Sequence, residues 1–127
     1  MCALGGSIGT KGKSLTAEVV EVKTFDELKK LGSDSEYFSG DVIDEKFVHS
    51  SIEKVFLKYG KIDHLINNAG IGVFKKFVDS SLEDFKKQVD VNLFGVYNFS
   101  KAVINGMIER KQGSIINIAS LAGKNSF

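Results

Sequence analysis

Short β-branched runs alternate along this chain with longer stretches of helical periodicity, and that order leaves few folds open. Glu18-Val19-Val20-Glu21-Val22 reads as a strand, and Thr24 caps a short helix, Phe25 to Leu31, that ends near Gly32. Glu36-Tyr37-Phe38-Ser39 reads as a second short strand. Asp44 is a suitable N-cap for a helix that Gly60 closes. Val48, Ile52, Val55, Phe56 and Tyr59 share one face of that helix, expected to bury against a sheet. His64-Leu65-Ile66-Asn67 reads as a strand running into Asn68-Ala69-Gly70. Ser80 and Glu83 have the spacing of a capping box at the head of a long helical pattern, from about Leu82 to Lys111, with Gly113 at its end. Ser114 to Ala119 reads as a strand buried on both faces. Strands alternating with helices imply βαβ units in a doubly wound parallel sheet, an α/β fold. The ligand crevice of such a sheet lies beyond the carboxyl ends of its strands. Asp41, Asn67 to Gly70, and Ser120 all fall at or just after strand ends, so three strands would offer polar or glycine residues to one rim.

Composition narrows the classes. A length of 127 residues suits one domain, and 43% hydrophobic with 26% charged residues is ordinary for a soluble globular chain. A formal net charge of +1 supplies no field for nucleic acid or an anionic membrane surface, so neither is expected as a partner. Cys2 is the single cysteine, which rules out a disulfide framework and a thiolate metal cluster within these residues. No apolar run approaches the roughly 18 residues of a membrane span, and the first residues lack the pattern of a signal peptide. A cytoplasmic location is the resulting expectation. His49 and His64 have no partners at metal-ligand or triad spacing.

The motifs carry a more specific message. Asn67-Asn68-Ala69-Gly70, then Val91-Asn92-Leu93, then Gly113 to Ser120 follow one another in the order seen in the short-chain dehydrogenase/reductase family, and Gly40-Asp41-Val42 matches upstream. From about Glu18 to Gly123 the chain resembles that family, in particular its 3-oxoacyl-ACP-reductase-like members. The resemblance implies a Rossmann-like sheet and hydride transfer between a nicotinamide and an alcohol or carbonyl substrate. It implies that Asn92 sits at a helix kink and holds a water in a proton relay. It implies that the Ser120 hydroxyl orients the substrate carbonyl, that the paired asparagines Asn67 and Asn68 tie neighbouring strands together, and that the backbone of Ala69 and Gly70 faces the cofactor ribose, with Asn68 beside them at the cofactor. Asp41, with Val42, would lie beside the adenine ring. Read without the family, Asp41 is a loop aspartate capping a turn, and Ser120 a turn-forming hydroxyl.

Two departures stand out. The family places a Tyr-x-x-x-Lys beyond the serine, in which the tyrosine moves the proton and the lysine lowers its pKa. Tyr37, Tyr59 and Tyr97 all precede Ser120, and the Tyr97/Lys101 string falls inside the long helix, where it reads as surface or packing. The family's last two strands also have no counterpart here. At the other end, Leu4 to Ser14 is similar to the family's glycine-rich turn, with Gly5 and Gly9 as the cofactor-binding glycines, but its strand and helix are abbreviated. Lys23 stands where a 2′-phosphate would lie, which favours NADP over NAD. The expectation is a single, partial NAD(P)-binding domain over residues 1–127, of poor dinucleotide affinity, marginal stability and no turnover by itself. Two other readings compete. Gly12-Lys13-Ser14 suggests a P-loop, but Ser7 occupies the position that motif needs as glycine. A non-catalytic partner-binding module, or a homo-oligomer, could form through the helix over 82–111 using Phe94, Tyr97, Phe99 and Met107.

Overall fold

The computed structural model describes residues 36–121. The expected strand at Glu18–Val22, the helix after it, and Gly5, Gly9 and Lys23 lie outside the described residues.

The first helix, α1, spans Glu45–Tyr59. Asp44 caps it as expected: its extended backbone turns the carboxylate onto the amides of Lys46 and Phe47, at 2.9 and 3.3 Å. Gly60 ends it in the left-handed region, at φ 76°, where a residue with a Cβ is strained. Strand β1 (His64–Asn67) follows. A single 3₁₀ turn at Phe77–Asp79 leads into α2 (Leu82–Val89), a π-helical turn at Asp90–Phe94, α3 (Gly95–Arg110) and β2 (Ser114–Asn117). β1 and β2 pair in parallel, His64 opposite Ser114 and Asn67 opposite Asn117. The crossover between them is helical, so the described residues contain one complete βαβ unit.

Four expectations need correction. Glu36–Ser39 is not a strand, since β-propensity alone makes no ladder. The apolar face of α1 packs on α3, and not on the described strands. Gly106 lies at this contact, where a Cβ would meet the Phe56 ring at an ordinary van der Waals distance of 3.5 Å. Third, the capping box is one residue later than Ser80 and Glu83. The Ser80 amide closes the 3₁₀ turn on the Phe77 carbonyl, so Ser81 becomes the cap and pairs reciprocally with Asp84. Fourth, β2 is not buried on both faces. Leu65, Asn67 and Ile115 share the side on which α3 packs, whereas Ile66 and Ile116 on the other side are 60% and 46% exposed. An apolar strand records what could be buried; the second layer has to be supplied by other parts of the fold.

The buried apolar centre of the described residues is Val48 on α1 with Val103 and Met107 on α3. Asn67 is buried as well and satisfied, because its Nδ2 donates to Ser100 Oγ at 3.1 Å and to Asn117 Oδ1 at 2.8 Å. One of the two paired asparagines thus ties neighbouring strands together and holds both to α3.

Asp84 gives the fold a pH signature. The Lys75 ammonium at 2.7 Å, with the backbone amide and hydroxyl of Ser81, lowers its carboxyl from 3.8 to about 2. Because the folded pKa is depressed, the stabilising contribution is complete above pH 4 and is lost as pH falls toward 2. Carboxyl-detected NMR titration should place the Asp84 midpoint near 2, and Lys75→Met should move it up. An Asp84 midpoint at the ordinary aspartate value in the unsubstituted chain would show that the pair does not form.

Candidate active site

Asn68, Ala69 and Gly70 leave the carboxyl end of β1 as an exposed loop, and Ser120 follows the carboxyl end of β2. Both segments border one open cleft of about 690 Å³, and Asn92 reaches it from the helix. Three elements distant in sequence thus converge because the two strands are parallel: their ends lie side by side.

The π-helical turn is what presents Asn92. The Gly95 amide bonds back to the Asp90 carbonyl, an i→i+5 link that widens one turn of an otherwise continuous helix. Where the resemblance implies a kink, the structure has this π-helical turn. From here the Asn92 carboxamide grips the loop at both ends of one residue. Its Oδ1 accepts from the Ile71 amide at 2.8 Å, and its Nδ2 donates to the Ile71 carbonyl at 2.9 Å. Gly70 lets this happen, since a Cβ there would lie 3.3 Å from Asn92 Oδ1. A carboxamide has two donor hydrogens and two acceptor lone pairs, so the clamp leaves one of each for another group.

Asp41 behaves as the bland reading supposed: its Oδ1 accepts from the Ile43 amide at 3.1 Å, an Asx turn before α1. Its second carboxylate oxygen takes no part in that turn. Val42 borders a separate, smaller cavity of about 200 Å³ that shares Asn68 and Ala69 with the main cleft. The structure therefore brings Asn68, Ala69, Gly70, Asn92 and Ser120 together, and places Val42 next to them.

Sequence reasoning overlooked three positions. Asn98 on α3 donates to the Val42 carbonyl at 3.2 Å and so fixes the Asp41–Val42 turn. Asn117 completes the strand-joining pair with Asn67. Gln88 on α2 accepts from the Val73 amide at 3.1 Å. Its four-residue spacing from Asn92 was the available signal. His64 Nδ1 meets Ser114 Oγ at 2.7 Å, but at the start of the strands, the end opposite the cleft. Among the described residues no group of three His, Cys, Asp or Glu could hold a metal, and no helix is long and apolar enough to cross a membrane. The described residues that line the cleft are apolar or neutral and polar, with no charged side chain among them.

A loop, a helix kink and a strand end meeting on one rim invite comparison with known proteins. The family model for short chain dehydrogenases matches residues 12–127. A 3-oxoacyl-[acyl-carrier-protein] reductase FabG of Thermotoga maritima is 41% identical over 83 residues, 65% of this chain and 34% of that protein. The solved structure of a short-chain dehydrogenase from Streptomyces avermitilis superposes with a TM-score of 0.74 at 31% identity, covering 80% of this chain and 38% of that one. That of ElxO with NADP bound does so with a TM-score of 0.71, also at 31% identity, covering 80% and 43%. The chain thus spans roughly a third to two-fifths of the length of these relatives. The architecture is the Rossmann-like α/β fold of these structures, represented in part. With the family model covering nearly all of its residues, this chain belongs to the short-chain dehydrogenase family.

Proposed function

We propose that this chain supplies the cofactor-facing loop and the substrate-orienting side of an NAD(P)-dependent oxidoreductase acting on an alcohol or carbonyl. The observation that carries the reading is the convergence of Gly70, Asn92 and Ser120 on one cleft whose described lining carries no charge. The fit to a dinucleotide is physical. Ala69 and Gly70 are small and exposed at the rim, so their backbone polar groups can meet a ribose without side-chain cover. ElxO, similar in fold, binds NADP, and Lys23 on this chain favours the same choice. When bound, the nicotinamide would supply or accept the hydride. Ser120 would donate its hydroxyl hydrogen to the substrate carbonyl and orient it. The donor and acceptor left over on Asn92 would hold a water. Asp41 would accept from the adenine amino group through the oxygen outside its Asx turn, with Val42 alongside. Gly5 and Gly9 would approach the pyrophosphate.

None of these residues can move the substrate proton, because no tyrosine follows Ser120 in the 127 residues. NADPH oxidation followed at 340 nm with short 3-oxo thioesters and aldehydes should stay at background for these residues alone. The same residues joined to the carboxyl-terminal part of an active family member should turn over. Turnover by the 127 residues alone would refute the proton argument. An inactive but folded fusion would favour the second reading, a module or homo-oligomer that pairs through the helix over 82–111. Phe94 and Tyr97, exposed at 51% and 59%, speak for that reading; Met107 does not, since it belongs to the core.

A further inference from the structure

The cleft wall formed by Ile71 to Lys75 is held by more than Asn92. Asp84, Gln88 and Asn92 stand four residues apart on one helical stretch. Their partners run the other way with a spacing of two: Lys75 Nζ to Asp84 at 2.7 Å, the Val73 amide to Gln88 Oε1 at 3.1 Å, and the Ile71 amide and carbonyl to Asn92 at 2.8 and 2.9 Å. The geometry explains the match. Four helical residues advance about 6 Å. Two extended residues advance about 6.6 Å, and alternate residues of an extended segment face the same way. An extended segment laid antiparallel on a helix can therefore keep register with every fourth helical residue over three rungs.

We infer that Gln88 is the positioning residue of this ladder, and that the ladder sets the wall of the cleft. Asp84 forms the outer rung, an exposed ion pair. Asn92 belongs to the site already described. Gln88 is the middle rung, and its bond to Val73 is partly buried, so water replaces it poorly when it is lost. Its Nε2 also donates to the Asp84 carbonyl at 3.3 Å, which restricts the side chain to one orientation. The wall so held presents Ile71, Val73 and Phe74 to the cleft. Phe74 is 98% exposed and has little packing of its own to keep it in place, so the Val73 amide bond on one side of it and the Lys75 ion pair on the other have to do so.

That this wall serves cofactor or substrate rests on the function proposed above; the ladder itself does not. The test separates the two. In the 127-residue chain, NMR should show cross-relaxation between the Gln88 side-chain amide and the Val73 amide proton. Gln88→Leu should speed Val73 amide exchange about tenfold relative to neighbouring α3 amides. Gln88→Glu, which keeps the acceptor, should restore protection to within about threefold. Absence of the cross-relaxation in the unsubstituted chain, or a Val73 amide indifferent to Gln88→Leu, overturns the ladder, and the first of these needs no variant to fold. For the cleft, NADPH is titrated to millimolar concentration while the Ile71–Phe74 amide shifts are followed. Gln88→Leu should weaken the response and Gln88→Glu should retain it. Equal responses in all three chains overturn the positioning role. No response in the unsubstituted chain counts against the proposed function and the wall's role in it, while exchange still decides the ladder.

Discussion

Ser120→Ala, made in residues 1–127 joined to the carboxyl-terminal part of an active family member, is expected to lower kcat about 100-fold. Ser120 stands just past β2, on the cleft that also holds the Asn68–Gly70 loop and Asn92. In the proposed reaction its hydroxyl donates to the carbonyl oxygen on which charge develops. That bond strengthens in the transition state, so its loss falls mainly on kcat and less on KM. Among the described residues that line the cleft none is charged, so within this chain no side-chain cation takes over the missing hydroxyl's place. Steady-state kinetics on the fusion measures it. A kcat within about threefold of the parent would remove Ser120 from the mechanism.

Gly95→Val is expected to be the most damaging single change to the described fold. Gly95 opens α3 and is buried, and a Cβ at that position would sit 2.6 Å from Val42 Cγ2. Helix propensity alone predicts a small gain, since glycine is the poorer helix former by a few tenths of a kcal/mol. Overpacking opposes it at about 1–3 kcal/mol and should win. Val42 cannot step aside freely, because Asn98 holds its carbonyl. A loss of about 2 kcal/mol lowers Tm by about 10 °C for a domain of this size. Thermal unfolding followed by circular dichroism checks it. An unchanged Tm would show that α3 and the Val42 turn do not pack as described. The same substitution should also displace Asp41, which links this stability effect to the proposed adenine end of the cleft.

The elements that were legible in the sequence are those whose causes are local. Asp44 and Gly60 act within one helical turn of themselves, so the ends of α1 could be read directly. The long helical pattern ended near Gly113 as expected, with α3 closing at Arg110 and Lys111 in the left-handed region. One misreading was also local in kind. Ser80 and Ser81 carry the same side chain, and only the preceding 3₁₀ turn decides which of them is free to cap. Asn67, Asn92 and Ser120 could be singled out by motif, but Gln88 and Asn98 could not. A polar residue inside a helix is ambiguous until the segment opposite it is known.

By itself, then, the sequence determined the order of strands and helices from α1 onward, the caps of α1, the family, and the identity of the residues beyond the ends of β1 and β2. Those follow from periodicity, from turn chemistry and from motif, all of which are written along the chain. Only the tertiary structure decided that α1 packs on α3, that one face of β1 and β2 is left open, and that Asn92 spends half of its hydrogen-bonding capacity on Ile71. The reason is physical: burial and hydrogen-bond partnership are properties of pairs of segments. The second member of each pair lies tens of residues away, where no local period or cap can point to it.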